Sequence, residues 1–171
     1  VAHAKSELNT RAPSGRKATG ILVAVASPKN SRRKVSQKID SVLRKTVKSV
    51  IREKAPSFVR AAPATGMPSN AQLKKSGLAG YSVEPKVSKL KLKRQGRRVI
   101  VSCEVRVRVS PWTRAGTNLE MNKTATVTGS GSVTSANSKR AISNSSEACV
   151  EAVVIQVTSN QVVPFLIAKA K

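Results

Sequence analysis

The sequence predicts an α/β (α+β) domain. It reads as a mixed sheet of about four strands, three of them an antiparallel meander, packed by two long helices and one short helix. Three observations lead there. From Val99 to Val109 every second residue is Val or Cys, and Ser102, Glu104, Arg106 and Arg108 fall between them, with Ile100 the single apolar exception. A strand sends alternate side chains to opposite faces, so this run puts a β-branched wall on a core and a mostly basic row toward water. From Lys34 to Lys54, the residues Val35, Ile39, Val42, Leu43, Val47, Val50 and Ile51 recur at spacings of three and four, which is one stripe of a helix. Aromatic residues make up only 2% of the chain, so the core must be built from Val, Ile, Leu and Ala, a composition that suits a sheet covered by helices.

Residues 1–20 carry basic residues, Pro13 and Gly15 without an apolar period, and read as a flexible lead-in or linker. Because the chain begins at Val1, it reads as a processed form or a fragment. One domain is expected over 21–168, with 169–171 as an exposed tail. Ile21 to Ala26 is a continuous apolar strand, closed by the turn signal Ser27-Pro28-Lys29-Asn30. The long helix follows, and Pro56 lies just past its end. Ser57 to Ser69 reads as a loop, and Ser69 can cap a short helix from Asn70 to Ser76. Tyr81 to Lys93 is a strand whose apolar parity changes: Tyr81, Val83 and Val87 share one face, while Leu90 and Leu92 share the other, so a β-bulge or break is expected near Ser88. Arg94-Gln95-Gly96 makes a hairpin turn into the central strand, and Pro111 to Gly116 makes the next. Leu119 to Val133 alternates again; Gly129 and Gly131 on its inner face either admit a close helix or mark a bulge. Ser135 to Ser143 is polar, Asn144 and Glu147 have capping-box spacing, and a helix is expected from about Ser145 to Ser159, with Val162 to Ile167 as a further turn.

Charge directs the functional reading. Among 171 residues, 32 Lys and Arg face 8 Asp and Glu, for a net charge of +24. Solubility needs a magnitude of only about 2–8 in a small domain. The excess argues for a polyanionic partner, such as nucleic acid, anionic lipid head groups or an anionic cell-wall polymer, against the plain alternative of a merely basic surface. Two cationic fields are expected. Lys89, Lys91, Lys93, Arg98, Arg106 and Arg108 share the outer sheet face, with Arg94 and Arg97 at the hairpin tip; Lys38, Lys45, Lys48 and Arg52 line the exposed side of the long helix, extended by Arg32 and Arg33 ahead of it. The aromatic residues Phe58, Tyr81, Trp112 and Phe165 are not interleaved with these rows, which counts against sequence-specific reading of single-stranded bases.

Catalysis finds little support. The one histidine is His3, so neither a Ser-His-Asp nor a Cys-His pair can form in the domain, and no metal set presents itself. Glu84 and Glu104 sit among lysines and arginines, where ordinary ion pairing is the simpler role. Gly129-Ser130-Gly131 lacks the Gly-Lys-Ser/Thr of a phosphate loop. No enzyme activity, cofactor or metal is therefore expected. No run of 18 apolar residues is present, so no membrane span is expected. Cys103 on the inner face of the central strand and Cys149 on the inner face of the last helix either form a disulfide, which would stabilise by about 3–4 kcal/mol and point to an oxidising compartment, or remain two buried thiols.

The succession Ile-Leu-Val-Ala-Val-Ala-Ser, a long helix ending at a proline loop, Gly-Tyr opening a three-strand meander, and a final Glu-Ala-Cys-Val-Glu-Ala-Val-Val helix resembles a group of bacterial envelope domains. The group comprises the N-terminal domain of TolB, the lipoprotein activators of penicillin-binding proteins, and the periplasmic domain of the curli secretion channel. The resemblance covers Ile21 to Leu166. It implies a non-catalytic periplasmic or envelope binding domain; with the basic sheet face, the expectation is a periplasmic or secreted domain that docks on an envelope protein or an anionic polymer. The chain departs from the group in its basicity and in lacking a lipobox cysteine. The alternative is a cytoplasmic nucleic-acid-binding protein whose same lysines and arginines neutralise phosphates.

Overall fold

The computed structural model describes residues 19–26, 37–63, 66–112 and 124–170. Its elements, in order, are β1 (Gly20–Val25), α1 (Gln37–Lys54), β2 (Val59–Ala61), α2 (Asn70–Lys75), β3 (Leu78–Gln95), β4 (Arg98–Pro111), β5 (Ala125–Ala136), α3 (Lys139–Val157), a π turn (Thr158–Val162) and α4 (Val163–Ala170). The sheet order is β2-β1-β3-β4-β5. β1 lies parallel to β2 and β3, and β3, β4 and β5 form the antiparallel meander. The α+β class and mixed sheet are those expected, with five strands instead of about four. The additional strand, β2, lies inside the stretch that reads as a loop. Three residues carry no period of their own; they are extended because Val59 pairs with Ile21 and because Phe58 O accepts from Ile21 N at 2.7 Å.

The valine wall of β4 is the floor of the core. Val99, Val101, Val105 and Val107 are 0% exposed. Ile39, Leu43, Val47 and Ile51 of α1, Val150, Val153, Val154 and Val157 of α3, and Ile21 and Val23 of β1 close over it in one cluster. The expected bulge is present: the β3–β4 register shifts between Val87 and Lys89. Gly96 holds the hairpin turn at φ 57°, where a Cβ would be strained.

Gly129 and Gly131 serve the close approach. A Cβ on Gly129 would overlap Val157 Cγ2, and one on Gly131 would come within 2.8 Å of Val153 Cγ2. α3 therefore lies almost on the backbone of β5. The same closeness brings Cys149 to Cys103, and the two form a disulfide with Cα atoms 6.3 Å apart across 46 residues of sequence.

α3 begins at Lys139, not near Ser145, and its cap is Ser138, whose hydroxyl accepts from Ala141 N at 3.2 Å. The polar stretch from Ser135 is thus divided between the end of β5, where Ser135 pairs with Val99, and the first turn of the helix. Asn144 and Glu147 fall inside α3, and Glu147 pairs with Lys38. The helix continues through the π turn to Ala170, so Lys169 and Ala170 are helical and not a tail. Lys139–Ala170 is long and apolar enough to cross a membrane by length and composition alone. Its apolar residues are those of a core helix, however, for Val150, Val154, Val162 and Leu166 are all 0% exposed.

A candidate anion-binding face

α1 and α3 both cover the valine side of the sheet. Among the described residues, only one end of the other side is covered: Leu73 of α2, Met67 and Trp112 meet over Gly80, where a Cβ would lie 2.9 Å from each of them. Beyond this small cluster, the outer residues of β3, β4 and β5 stand in register. Lane by lane they are Glu84–Arg108–Thr126, Lys86–Arg106–Thr128, Lys89–Glu104–Ser130, Lys91–Ser102–Ser132 and Lys93–Ile100–Thr134. Strands are about 4.8 Å apart and same-face residues about 6.8 Å apart along a strand, so these side chains form a flat lattice: a cationic column, a mixed column and a hydroxyl column.

The bulge makes the cationic column. Before it, the even-numbered residues Glu84 and Lys86 face outward; after it, the odd-numbered Lys89, Lys91 and Lys93 do. Without the extra residue, those three lysines would turn toward the core side. The bulge is fixed through Glu104. Ser88 Oγ donates to Glu104 Oε1 at 2.6 Å and to its backbone oxygen at 3.2 Å, and Lys89 Nζ pairs with Glu104 Oε2 at 3.3 Å. The hydrogen bond from Ser88, followed by that from Lys89, holds the Glu104 carboxyl below the usual glutamate range.

The expected cations are therefore not equivalent. Lys89 is occupied by Glu104, and Arg108 by Glu84 at 3.3 Å. Lys91, Lys93 and Arg106 make no ion pair among the described residues, and neither does Lys86, which shares the lane of Arg106 and which sequence reasoning missed. Its signal was available: Lys86 has the parity of Glu84, ahead of the predicted bulge. Arg98, opposite Gln95, ends the outer row; Arg97 lies in the exposed turn. Arg94 pairs opposite Val99, which places it on the helix-side column and not on the outer face. Lys89, Lys91, Ser102, Glu104, Ser130 and Ser132 line a shallow depression of about 370 Å³ at the centre of the lattice. The hydroxyl column of β5 also went unrecognised, because serine and threonine on a strand carry no distinctive pattern.

The second field is separate. Lys45, Lys48 and Arg52 lie on α1, across the sheet from the first, and Lys38 is tied to Glu147 at 2.9 Å. Arg32 and Arg33 lie outside the described residues. Among the described residues no three His, Cys, Asp or Glu side chains gather as a metal set.

No protein-family model matches the chain, and no curated protein is similar to it in sequence. Among solved structures, it is similar to a minor lipoprotein of Acinetobacter baumannii, with 14% identity over 84% of this chain and 92% of that one and a TM-score of 0.44. It is also similar to a protein of Chlamydia trachomatis (12% identity, 88% and 99% covered, TM-score 0.48) and to a lipoprotein of Neisseria meningitidis (11%, 85% and 99%, TM-score 0.36). At these identities and scores, the likeness assigns neither a family nor a function.

Proposed function

We propose that this chain is a non-catalytic binding domain of the bacterial cell envelope that docks on an anionic polymer, or on the acidic surface of an envelope protein, through the outer face of β3, β4 and β5. The observation that carries this reading is the lattice in which, among the described residues, Lys86, Lys91, Lys93 and Arg106 make no salt bridge while the long helices α1 and α3 lie on the opposite side. Unpaired cations on a flat, uncovered surface are free to neutralise a ligand without first breaking an ion pair. The Cys103–Cys149 disulfide supports an oxidising compartment, and the order of elements supports kinship with the TolB, penicillin-binding-protein-activator and curli-channel domains. Nucleic acid would be bound through the same cations, but the face offers no aromatic platform: Tyr81 is 9% exposed and Trp112 packs over Gly80.

The test reverses charge at Lys86, Lys91, Lys93 and Arg106 together and compares co-sedimentation with cell-wall sacculi and retention on duplex DNA across a salt series. Loss of sacculus binding in a folded variant is the expected result. Tight DNA binding that falls steeply with salt, with sacculi ignored by the unaltered protein, would transfer the face to nucleic acid. Unchanged binding of every anion would remove it from function.

A further inference from the structure

β5 ends the sheet, and among the described residues no strand pairs with its far side. The sheet's other free borders are protected. β2 has only three residues. β3 runs on past Val83, where its pairing with β1 stops, and that length carries Pro85, the bulge and Lys86, Lys89, Lys91 and Lys93. Proline, bulges and lysines are the usual defences of an edge. β5 has none of them. Its twelve residues, Ala-Thr-Val-Thr-Gly-Ser-Gly-Ser-Val-Thr-Ser-Ala, include no charge and no proline, and its register with β4 runs unbroken from Arg98↔Ala136 to Val109↔Ala125. A flat edge of this length presents a row of backbone N–H and C=O groups that another strand can satisfy.

The charge map selects the partner. At +24, most contacts between two copies of this chain are repulsive. The β5 side is the exception. Its outward row is Thr126, Thr128, Ser130, Ser132 and Thr134. α3 above it turns Glu147 toward Lys38 of α1. At 100° per residue the opposite flank of α3 carries Ser145, Ala152 and Gln156, also uncharged. An acidic peptide would find no cation on this border itself: Arg106 stands one strand inward and the lysines of β3 two.

We propose that β5 pairs antiparallel with β5 of a second copy, joining the two five-stranded sheets into one across a two-fold axis. Threonine and serine then face threonine and serine, a favourable cross-strand combination. The nearest outward cations of the lattice, Arg106 and Arg108 in the mixed columns of the two β4 strands, stand three strand spacings apart, about 14 Å, beyond the Debye length of about 8 Å at physiological salt. The two-fold keeps both outer faces on one side, so a polymer long enough to span the seam would engage two basic faces at once. The pairing itself does not depend on the proposed function.

Sedimentation velocity on the intact, oxidised protein tests this across concentration at low and high salt. A reversible dimer that tightens with salt is expected, because salt screens the residual repulsion. Thr128→Lys with Ser132→Lys places like charges at the seam on exposed positions and should weaken dimerisation at least ~10-fold, or ~1.4 kcal/mol, with the circular dichroism unchanged. Ala71→Lys, exposed on α2, should leave the dimer intact. Hydrogen exchange should show the β5 amides that face away from β4 gaining protection as concentration rises. A monomer at every concentration and salt, a dimer indifferent to the lysine pair, or β5 amides that face away from β4 already protected in the monomer would each overturn the proposal.

Discussion

On the helix side of β4, the residues Val99, Val101, Cys103, Val105, Val107 and Val109 are buried, while on the other side Arg98, Ile100, Ser102, Glu104, Arg106 and Arg108 stay partly or fully exposed. Both sets hang from one backbone and share one pair of ladders, so neither strand propensity nor hydrogen bonding separates them. What differs is the layer above. Two helices and a disulfide cover the first set, and among the described residues no layer lies over most of the second. On the proposed function, stability and recognition are therefore divided by residue parity. Substitutions on the helix side should act on unfolding, and substitutions on the open side should act on binding.

The largest effect should come from the covalent tie. Cys103→Ala with Cys149→Ala releases a link across 46 residues, for which the chain-entropy account gives about 4 kcal/mol. Denaturant unfolding checks this; a loss below about 1 kcal/mol would mean that α3 holds to β4 without it. Gly129→Val comes next. Its side chain would overlap Val157 and crowd Val153, and overpacking of this kind costs about 1–3 kcal/mol. Thr128→Val, one residue along and exposed, should change stability by about 0.5 kcal/mol or less. Equal effects at the two positions would erase the contrast between the faces.

Much of this division was legible in the sequence. The alternation in β4, the parity change near Ser88 and the paired glycines each follow from the two-residue period of a strand, and the structure places all three where that period requires. The failures share a cause as well. β2 is extended through its pairing with β1, and α3 starts at Lys139 because Ser138 caps it in a run of polar residues where several caps compete. Periodicity cannot register either. Nor does it distinguish Lys89 from Lys91. Both are lysines on one face, and only the register set by the bulge brings Glu104 to the first and Ser102 to the second.

Glu104 offers a smaller, pH-dependent test on the open side. Its folded carboxyl lies below the ordinary value of 4.5, so its bonds to Ser88 and Lys89 contribute stability that is fully present above that value and is lost as pH falls through the lower folded value. Glu104→Gln should therefore be less stable than the unaltered protein near neutral pH and should converge with it in acid. A difference that persists into strong acid would assign the loss to packing.

The smallest effect on stability, and the sharpest on function, is expected at Lys91. It is exposed and makes no ion pair among the described residues, so Lys91→Gln should move the unfolding free energy by no more than about 0.5 kcal/mol. Each cation that neutralises a polyanion releases condensed counterions, and for nucleic acid the salt slope falls by about 0.7–0.9 per contact. A comparable drop in the salt slope of sacculus binding is expected for Lys91→Gln. Lys89→Gln should give a smaller one, because its ammonium already pairs with Glu104 at 3.3 Å. Equal slopes for the two variants would show that the Glu104 pair opens when ligand arrives. The lattice would then act as a uniform field of charge, and its individual lanes would lose their separate roles.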